Sequence, residues 1–352
     1  MKRLVIIQTV APDYRKLFFE KLKSSLKNRF ELYAGEKGFE TSIQTNSDIH
    51  LPAKNFFLLN RRFLFQTGIW HLLLKDDILV LEMNPRILSN WIFLIIRRIL
   101  GKKTILWGHA WPRKGKNSKT DFIRNLMRKL ASQIIVYTNR QKRELQAKMP
   151  GKKIVAAPNT IYSVEQMKTG PKINPKNLIY VGRLVTSKKV FFMVQAFHQS
   201  LRFLPDNANL VIVGDGPEKE KIQKYIERNN LHNRIKLLGH ISDYNQLKTL
   251  YDEALFSISP GYVGLSIIQS FSFGVPMLIS KNENHSPEIE AARENDNAIF
   301  FETDNLEDFA DKLQLIYKTK AEWIKKREKI VSFCKENYSV EAMAKVFIDS
   351  LE

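Results

Sequence analysis

The chain has 352 residues, of which 44% are hydrophobic and 26% charged; this balance excludes an intrinsically disordered protein and allows two domains of ordinary size. The single cysteine, Cys334, excludes an internal disulfide framework and favours a reducing compartment. The N-terminal apolar run of about five residues is too short for a signal sequence or a membrane span, and no later run is predicted to cross a bilayer.

Basic residues give the chain a formal net charge of +20, and they are concentrated in one region. Between Arg97 and Lys153 the only acidic residues are Asp121 and Glu144. A basic patch of this kind attracts polyanions, so nucleic acid, an anionic membrane surface and a phosphorylated substrate all fit it. A solvated surface without a partner has the same composition.

Short apolar runs alternate with helical patterns from end to end, which is typical of parallel sheets covered by helices. In the first half, strands are predicted at Leu4–Thr9, Phe30–Ala34, Ile78–Glu82, Lys103–Trp107, Gln133–Tyr137 and Ile154–Ala156. Helices are predicted there at Tyr14–Lys27, Arg62–Leu74, Leu88–Leu100, Thr120–Leu130 and Arg140–Lys148. In the second half, strands are predicted at Asn177–Val181, Asn209–Val213, Ile235–Leu238, Leu255–Ile258, Met277–Ile279 and Ala298–Phe301, with helical segments such as Pro217–Asn229 and Pro287–Ala292.

A polar segment separates the two halves. Residues 163–176 contain Gly170, Pro171 and Pro175 and are predicted to form a linker. It divides an N-terminal domain, residues 1–162, from a C-terminal domain, residues 177–337, and residues 338–352 are predicted to form a helix that packs back on the N-terminal domain. The fold class is therefore α/β, with two Rossmann-like doubly wound domains facing across a cleft, where ligands bind beyond the carboxyl ends of the strands.

A first motif, Gly182-Arg183-Leu184-Val185-Thr186-Ser187-Lys188, follows a predicted strand and opens a helix. Gly182 permits a tight turn, so Arg183 and Lys188 can point into the cleft as two cations. Two such donors would neutralise the charge that builds on a leaving diphosphate. An ordinary strand–helix turn with surface cations would show the same residues.

A second motif, Gly214-Asp215-Gly216-Pro217, lies one strand–helix unit later. It matches half of a dinucleotide-binding fingerprint, although the same residues are common in simple turns.

A third motif extends from Gly261 to Gln269. It is a glycine-rich loop containing Gly264, and it leads into a short helix that begins near Leu265 and Ser266. The first N–H groups of such a helix favour the binding of phosphate.

In this order and spacing, the three motifs resemble the retaining glycosyltransferases of family 4, which have the GT-B fold. The turn Ala157-Pro158-Asn159 is similar to the family's Pro-Asn-Gly turn, with Thr160 in the place of glycine. The resemblance implies a nucleotide diphosphate-sugar as donor substrate, no cofactor and no metal ligands, with Arg183 and Lys188 holding the diphosphate. The predicted donor-binding residues are Gly182, Gly214, Gly216, Gly261, Gly264, Leu265, Ser266 and Gln269.

The chain departs from the family pattern in the third motif. The family usually has two glutamates eight positions apart, and the corresponding residues here are Gly261 and Gln269. The first carboxylate is missing, so the identity of any catalytic carboxylate is open. The Gln269 amide can still form hydrogen bonds with sugar or ribose hydroxyls.

Loops after the predicted N-terminal strands are expected to bind the acceptor. Tyr14 could stack on a sugar, Arg15 could meet a phosphate, and Asn84 ends a later strand at the same edge. Members of the family often have a histidine near the donor sugar at the place of His109. With Arg183 and Lys188, His109 completes the predicted catalytic set.

The leading interpretation is a retaining, metal-independent hexosyltransferase that acts on a glycan or lipid-linked acceptor in bacterial surface-polysaccharide assembly, such as O-antigen, capsule or lipopolysaccharide. A nucleotide-sugar 2-epimerase of the same fold and a non-catalytic sugar-nucleotide-binding protein are the alternatives. Nucleic acid is not an expected partner, because the chain has no nucleic-acid-binding module.

We also expect a cytoplasmic protein that binds the inner face of the cell membrane peripherally. The predicted helices Leu88–Leu100 and Thr120–Leu130 combine apolar residues with cations that an anionic surface would attract. These cations are Arg97, Arg98, Arg124, Arg128 and Lys129.

Overall fold

The computed structural model describes residues 2–39, 45, 48–112, 115–170 and 174–352. These form two compact units, residues 1–161 together with 340–352, and residues 162–339. Pro171 of the predicted linker lies outside the described residues. No helix in the described part of the chain is long and apolar enough to cross a membrane.

The secondary-structure elements follow in chain order. The strands are β1 Leu4–Gln8, β2 Phe30–Ala34, β3 Leu51–Pro52, β4 Lys54–Leu58, β5 Phe63–Thr67, β6 Ile78–Glu82, β7 Thr104–Trp107, β8 Gln133–Val136, β9 Lys153–Ala156, β10 Asn177–Val181, β11 Leu210–Val213, β12 Ile235–Leu237, β13 Ala254–Ser259, β14 Met277–Ser280 and β15 Ala298–Phe301. The helices are α1 Lys16–Leu26, α2 Leu88–Ile99, α3 Asp121–Leu130, α4 Asn139–Lys148, α5 Val190–Ser200, α6 Lys219–Arg228, α7 Tyr244–Asp252, α8 Ser266–Ser272, α9 Leu306–Lys318, α10 Lys320–Tyr338 and α11 Val340–Ile348.

The first unit is built on a seven-stranded parallel sheet with the order β3-β2-β1-β6-β7-β8-β9. Consecutive strand residues point to opposite faces, so each strand contributes to two cores. Leu4 and Ile6 pack with side chains of α1 and α11, whereas Val5 and Ile7 pack with side chains of α2 and α3. The sheet is thus covered by helices on both faces, as the predicted fold class requires.

The last helix, α11, belongs to this first unit. The Phe347 ring lies 5.0 Å from the Phe18 ring and 4.9 Å from the Trp107 ring, measured between centroids. These aromatic contacts bury the helix against α1 and β7.

The second unit contains a six-stranded parallel sheet with the order β12-β11-β10-β13-β14-β15. The order reverses between β10 and β13. In sheets of this kind ligands bind outside the carboxyl ends of the strands, at the point of reversal. The loops that follow β10 and β13 therefore define the candidate site of this unit.

The predicted helix Arg62–Leu74 is wrong. The chain forms an antiparallel hairpin there, in which β5 pairs with β4. Leu64 and Gln66 are buried while their neighbours are half-buried, a two-residue period that suits a strand. Gly68, at φ +82°, ends the strand, and only a short 3-10 turn, Trp70–Leu72, follows.

Two arginines predicted to face outward are instead buried, so that part of the membrane prediction is wrong. The Arg128 guanidinium is fully buried and pairs with Asp121 at 2.8 Å. Arg97 is also fully buried, and no carboxylate among the described residues pairs with it. Its guanidinium instead donates to backbone carbonyls and one hydroxyl: Leu72 O, Leu73 O, Lys75 O, Asp77 O, Lys103 O and Thr104 Oγ1.

We predict that Arg97→Ala lowers the free energy of unfolding by about 3–5 kcal/mol, because several buried carbonyl oxygens lose their donor together. Chemical denaturation measures the change. The neighbouring Arg98 is exposed, and Arg98→Ala should change the stability by less than about 0.5 kcal/mol. Equal stabilities of the two variants would contradict this role for Arg97.

Candidate functional site

The loop after β10 is held by hydrogen bonds of the first three residues of the first motif. Gly182 N–H donates to Val213 O at 3.0 Å, and Leu184 N–H donates to Asp215 O at 2.8 Å. The Tyr180 hydroxyl donates to the Arg183 carbonyl at 2.9 Å. The backbone that carries Arg183 is thereby fixed against the loop after β11.

The two glycines of the second motif make this packing possible. Gly214 and Gly216 have φ values of +150° and +152°. A Cβ atom at Gly214 would lie 1.8 Å from the Gly182 carbonyl oxygen, and one at Gly216 would lie 2.5 Å from the Leu184 carbonyl oxygen. Larger residues are therefore excluded at both positions. In this structure the glycines support the Arg183 loop, a role that their resemblance to a nucleotide fingerprint did not predict.

Arg183 and Lys188 form a pair of cations without a neutralising partner. Arg183 is exposed, and among the described residues no carboxylate lies within ion-pair distance of either side chain. Lys188 Nζ donates to the Tyr262 carbonyl at 2.6 Å and lies 4.4 Å from the centre of the Tyr262 ring. Burial, reinforced by the Arg183 charge, lowers the pKa of Lys188 to about 8. Two neighbouring cations without a carboxylate partner favour the binding of an anion.

The adjacent Lys189 has the opposite surroundings. Its Nζ lies 2.6 Å from Glu283 Oε1 and 2.7 Å from Asp304 Oδ1. These carboxylates raise the pKa of Lys189 against a lowering effect of burial. Lys189 is therefore neutralised locally, whereas Lys188 is not.

The third motif approaches the first through its backbone. Tyr262 N–H donates to the Ser187 carbonyl at 3.1 Å. A Cβ atom at Gly261 would lie 2.5 Å from the same Ser187 oxygen and 2.9 Å from the Lys188 carbonyl carbon. The position of the family's first glutamate thus has no room for any side chain here, because backbone atoms of the first motif occupy the space.

The helix α8 begins at Ser266, with Leu265 as its N-cap residue and Gly264 before it. About one turn into this helix, the sequence pattern predicted Gln269 as a polar residue for ligand hydroxyls. Its amide has partners within the unit. Gln269 Nε2 donates to the Tyr162 hydroxyl at 3.1 Å, and Oε1 accepts from the Tyr251 hydroxyl at 3.5 Å. This bridge gives a structural reason for a polar residue among apolar neighbours.

In the first unit, the predicted acceptor residue Arg15 lies in a polar cluster at the carboxyl edge of the sheet. Its guanidinium donates to Gln8 Oε1 at 3.0 Å and to the Tyr137 hydroxyl at 2.9 Å. It also lies 4.4 Å from the centre of the Trp107 ring. The adjacent Tyr14 is exposed, and its ring contacts the same guanidinium at 5.3 Å.

The predicted catalytic residue His109 belongs to the same edge. Its ring lies 4.6 Å from the Tyr137 ring, and its carbonyl accepts from Arg124 Nη1 at 3.0 Å. Arg124 also donates to the Met83 carbonyl at 2.7 Å. Tyr137 therefore contacts both His109 and Arg15. Arg124 connects the loop that contains Met83 to the loop that contains His109.

Glu82, the last residue of β6, is not among the site residues predicted from the sequence. Its carboxylate accepts from both the backbone N–H and the hydroxyl of Thr9, the latter at 3.0 Å. Burial raises the pKa of Glu82, although the Thr9 hydrogen bonds act in the opposite direction. The signal was present, since Glu82 is the one charged residue of an otherwise apolar strand. Asn84, two residues on, accepts from the Arg86 N–H through Oδ1 at 3.2 Å and closes a turn.

Within the described ranges, no group of three or more histidine, cysteine, aspartate or glutamate side chains could hold a metal ion.

Comparison with known proteins agrees with this architecture. Residues 164–336 match the family model described as glycosyl transferases group 1. An uncharacterized glycosyltransferase of Methanocaldococcus jannaschii is 30% identical over 213 residues, which are 55% of this chain and 51% of that protein. The chain thus matches about half the length of this curated relative.

Two solved structures have the same fold over the whole chain. Anabaena HepE, crystallised in complex with UDP, has a TM-score of 0.72 at 15% identity, covering 100% of this chain and 99% of its own. The lipopolysaccharide outer core galactosyltransferase WaaB, in its apo form, has a TM-score of 0.68 at 16% identity and covers 100% of both chains.

Two Rossmann-like units of this topology define a protein of the GT-B fold class. Through residues 164–336, the chain is similar to the group 1 glycosyltransferases. Its assignment to the retaining family 4 stays a prediction.

We predict that restoring the family's carboxylate is harmful in this chain. Gly261→Glu should lower the free energy of unfolding by about 1–3 kcal/mol, because the new side chain overlaps the Ser187 and Lys188 backbone. Thermal unfolding measures the change. Gly264→Ala is the matched control, since its Cβ would meet its nearest neighbour at an ordinary 3.6 Å. A Gly261→Glu variant as stable as the wild type would show that the loop adapts.

Proposed function

We propose that this protein is a retaining, metal-independent glycosyltransferase that moves a hexose from a nucleotide diphosphate-sugar to an acceptor hydroxyl. The observation that carries the proposal is the pair Arg183 and Lys188, two unneutralised cations at the reversal point of the second sheet. The match to group 1 glycosyltransferases supports the reaction class. The presence of UDP in the complex of Anabaena HepE supports a nucleotide donor.

The chemistry follows from the charge that develops as the glycosidic bond breaks. The bond between the anomeric carbon and the diphosphate oxygen is cleaved, and its electron pair passes to the leaving phosphate. Arg183 and Lys188 stabilise this negative charge more strongly than the charge of the intact donor. In front-side attack, the acceptor oxygen forms the new bond on the same face while its proton passes to the departing phosphate.

This route does not require a carboxylate at residue 261. The leaving phosphate serves as the base, and the two cations keep it near the reaction centre. His109 remains the predicted residue for the donor sugar, on the strength of the family resemblance. Tyr14, Arg15 and Asn84 remain predicted for the acceptor.

An acceptor on a lipid carrier, as in surface-polysaccharide assembly, is supported by the outer surface of the first unit. The helices α2 and α3 pack together and expose large apolar side chains. Ile99 is 78% exposed, Phe122 66% and Leu126 52%. The exposed cations Arg98 and Lys129 lie on the same two helices. This combination suits peripheral binding to an anionic membrane on the cytoplasmic side, near a lipid-linked glycan.

A non-catalytic sugar-nucleotide-binding protein is the second candidate. It is favoured by one specific observation, the packing that leaves no room for a side chain at Gly261. Both proposals require the nucleotide-sugar to bind, and only the first requires transfer. A nucleotide-sugar 2-epimerase needs several acid–base carboxylates, which the loop at Gly261 does not supply.

We predict that Arg183→Ala and Lys188→Ala each reduce kcat/KM by about tenfold to a thousandfold, or about 1.5–4 kcal/mol, because each removes a charge-assisted contact with the leaving diphosphate. Steady-state transfer assays with a verified donor and acceptor measure the loss. Lys224→Ala, an exposed lysine on α6 paired with Glu220, is the matched control and should retain full activity. Near wild-type rates for both site variants would overturn the assignment. Nucleotide-sugar binding without transfer by the wild type would favour the non-catalytic candidate.

We predict that the exposed apolar side chains of α2 and α3 anchor the protein to anionic vesicles. The double variant Ile99→Ser with Phe122→Ser should lose most vesicle binding in a flotation assay, because it removes apolar area that would enter the interface. Added salt should weaken wild-type binding as the basic residues are screened. Phe203→Ser removes a less exposed aromatic ring, 46% exposed, from the second unit and should bind as the wild type does. Equal binding to neutral and anionic vesicles would count against the proposal.

A further inference from the structure

We propose that His285, in the loop after β14, is a positioning residue of the donor site. Its neutral imidazole holds the Tyr262–Val263 backbone against the loop of Lys188, and protonation of the ring weakens donor binding. The inference rests on the function proposed above, because it assigns a role toward the same nucleotide-sugar.

The imidazole has a hydrogen-bond partner on each nitrogen. The Val263 N–H donates to His285 Nδ1 at 3.1 Å, and His285 Nε2 lies 2.8 Å from the Ser280 carbonyl oxygen. The next residue adds a backbone bond, since Ser286 N–H donates to the Val263 carbonyl at 3.0 Å. Both backbone groups of Val263 are therefore held by the loop after β14.

These two bonds determine the protonation state of the ring. A backbone N–H can only donate, so Nδ1 must carry a lone pair; a carbonyl can only accept, so Nε2 must carry the hydrogen. Only the neutral tautomer protonated at Nε2 satisfies both partners. An imidazolium would direct an Nδ1–H at the Val263 N–H and would lose that hydrogen bond.

The segment that His285 holds, residues 262 and 263, is also the segment that Lys188 contacts. Tyr262 N–H donates to the Ser187 carbonyl, and the Tyr262 carbonyl accepts from Lys188 Nζ. Residues 262 and 263 thus lie between the first motif on one side and His285 with Ser286 on the other. Movement of Val263 away from His285 would displace the Tyr262 carbonyl and ring that orient the Lys188 ammonium.

The charged groups around His285 act in opposite directions on its pKa. Burial lowers the pKa of His285, the Ser280 bond and Glu283 raise it, and Lys188 lowers it. Glu283 is itself paired with Lys189. The net lowered pKa keeps the ring neutral in the folded state at neutral pH. The bond to Val263 is therefore complete above the ordinary histidine pKa and is lost as the pH falls through the lower pKa of the folded state.

The first experiment measures the affinity of the full chain for UDP-glucose by calorimetry between about pH 5.5 and 7.5. Both phosphates of this probe are esterified, so it avoids the terminal phosphate ionisation near pH 6 that would complicate UDP itself. Lys188 has a pKa of about 8 and is mostly protonated in this range. Its remaining titration adds positive charge toward the acidic end, so it would strengthen binding of an anionic donor there and cannot produce a weakening. We expect the wild-type dissociation constant to rise about threefold to tenfold toward the acidic end, as for the loss of a neutral hydrogen bond.

The variant His285→Asn separates titration from packing. Its Oδ1 can accept from the Val263 N–H, but it does not ionise, so the acidic rise in the dissociation constant should disappear. His198→Asn is the matched control, since His198 lies on α5 in the same unit and its Nδ1 contacts the Tyr225 hydroxyl at 3.0 Å. The control should keep the wild-type pH profile. The same acidic rise in His285→Asn as in the wild type would overturn the proposal.

A second measurement does not depend on any ligand. Amide hydrogen exchange of Val263, corrected for the intrinsic effect of pH, should accelerate by about tenfold at acidic pH in the wild type, because the hydrogen bond to Nδ1 is lost. It should stay independent of pH in His285→Asn. Absence of UDP-glucose binding at every pH would count against the proposed function, while the exchange data would still decide the role of His285. A Val263 amide whose exchange ignores pH in the wild type would refute that role.

Discussion

The carbonyl oxygen of Ser187 lies 2.5 Å from the place that a Cβ atom on residue 261 would take. This close approach of two loops determines how the cations of the second unit are arranged. It allows Tyr262 N–H to donate to Ser187 and brings the Tyr262 carbonyl to Lys188 Nζ. A second close approach, Gly214 against Gly182, fixes the other end of the same loop. The site is thus assembled from backbone contacts that glycine alone permits.

Backbone packing of this kind has a chemical consequence. A carboxylate at residue 261 would place a negative charge beside Lys188 and reduce the net positive charge available to a diphosphate. Glycine removes that charge and lets Lys188 stay close to Arg183, whose charge contributes to the lowered Lys188 pKa. An anionic ligand between them would relieve this repulsion, so part of the binding energy of the proposed donor would come from the unfavourable proximity of the two cations in its absence.

The sequence predicts the fold well because alternating strands and helices leave a strong periodic signal. The GT-B fold is confirmed, and strands such as Phe30–Ala34 and Ile78–Glu82 have the predicted bounds. The helix predicted at Arg62–Leu74 is wrong because its aromatic residues also fit a strand with a two-residue period, and only the partner strand β4 selects that alternative. The local sequence pattern of residues 62–74 does not show that β4 is available to pair with them.

Site residues are harder to predict than the fold, because their surroundings come from distant parts of the chain. Gln269 is polar among apolar neighbours, a pattern that suggested a ligand; its amide bridges Tyr162 and Tyr251. Arg97 is a surface cation by composition, and the fold buries it among carbonyl oxygens. In both cases the residue type indicated a polar partner correctly, and only the three-dimensional structure identified which partner it has.

Lys188 and Lys189 show the same limit most sharply, since they are identical in type and adjacent in sequence. Lys189 adopts a left-handed backbone conformation at φ +51° and directs its ammonium to Glu283 and Asp304. Lys188 contacts the carbonyl and ring of Tyr262, partners that carry no net charge. A left-handed residue turns the chain abruptly, so neighbouring side chains enter different surroundings. The charge of Lys189 is therefore neutralised by carboxylates of the same unit, whereas the charge of Lys188 is available to a phosphate.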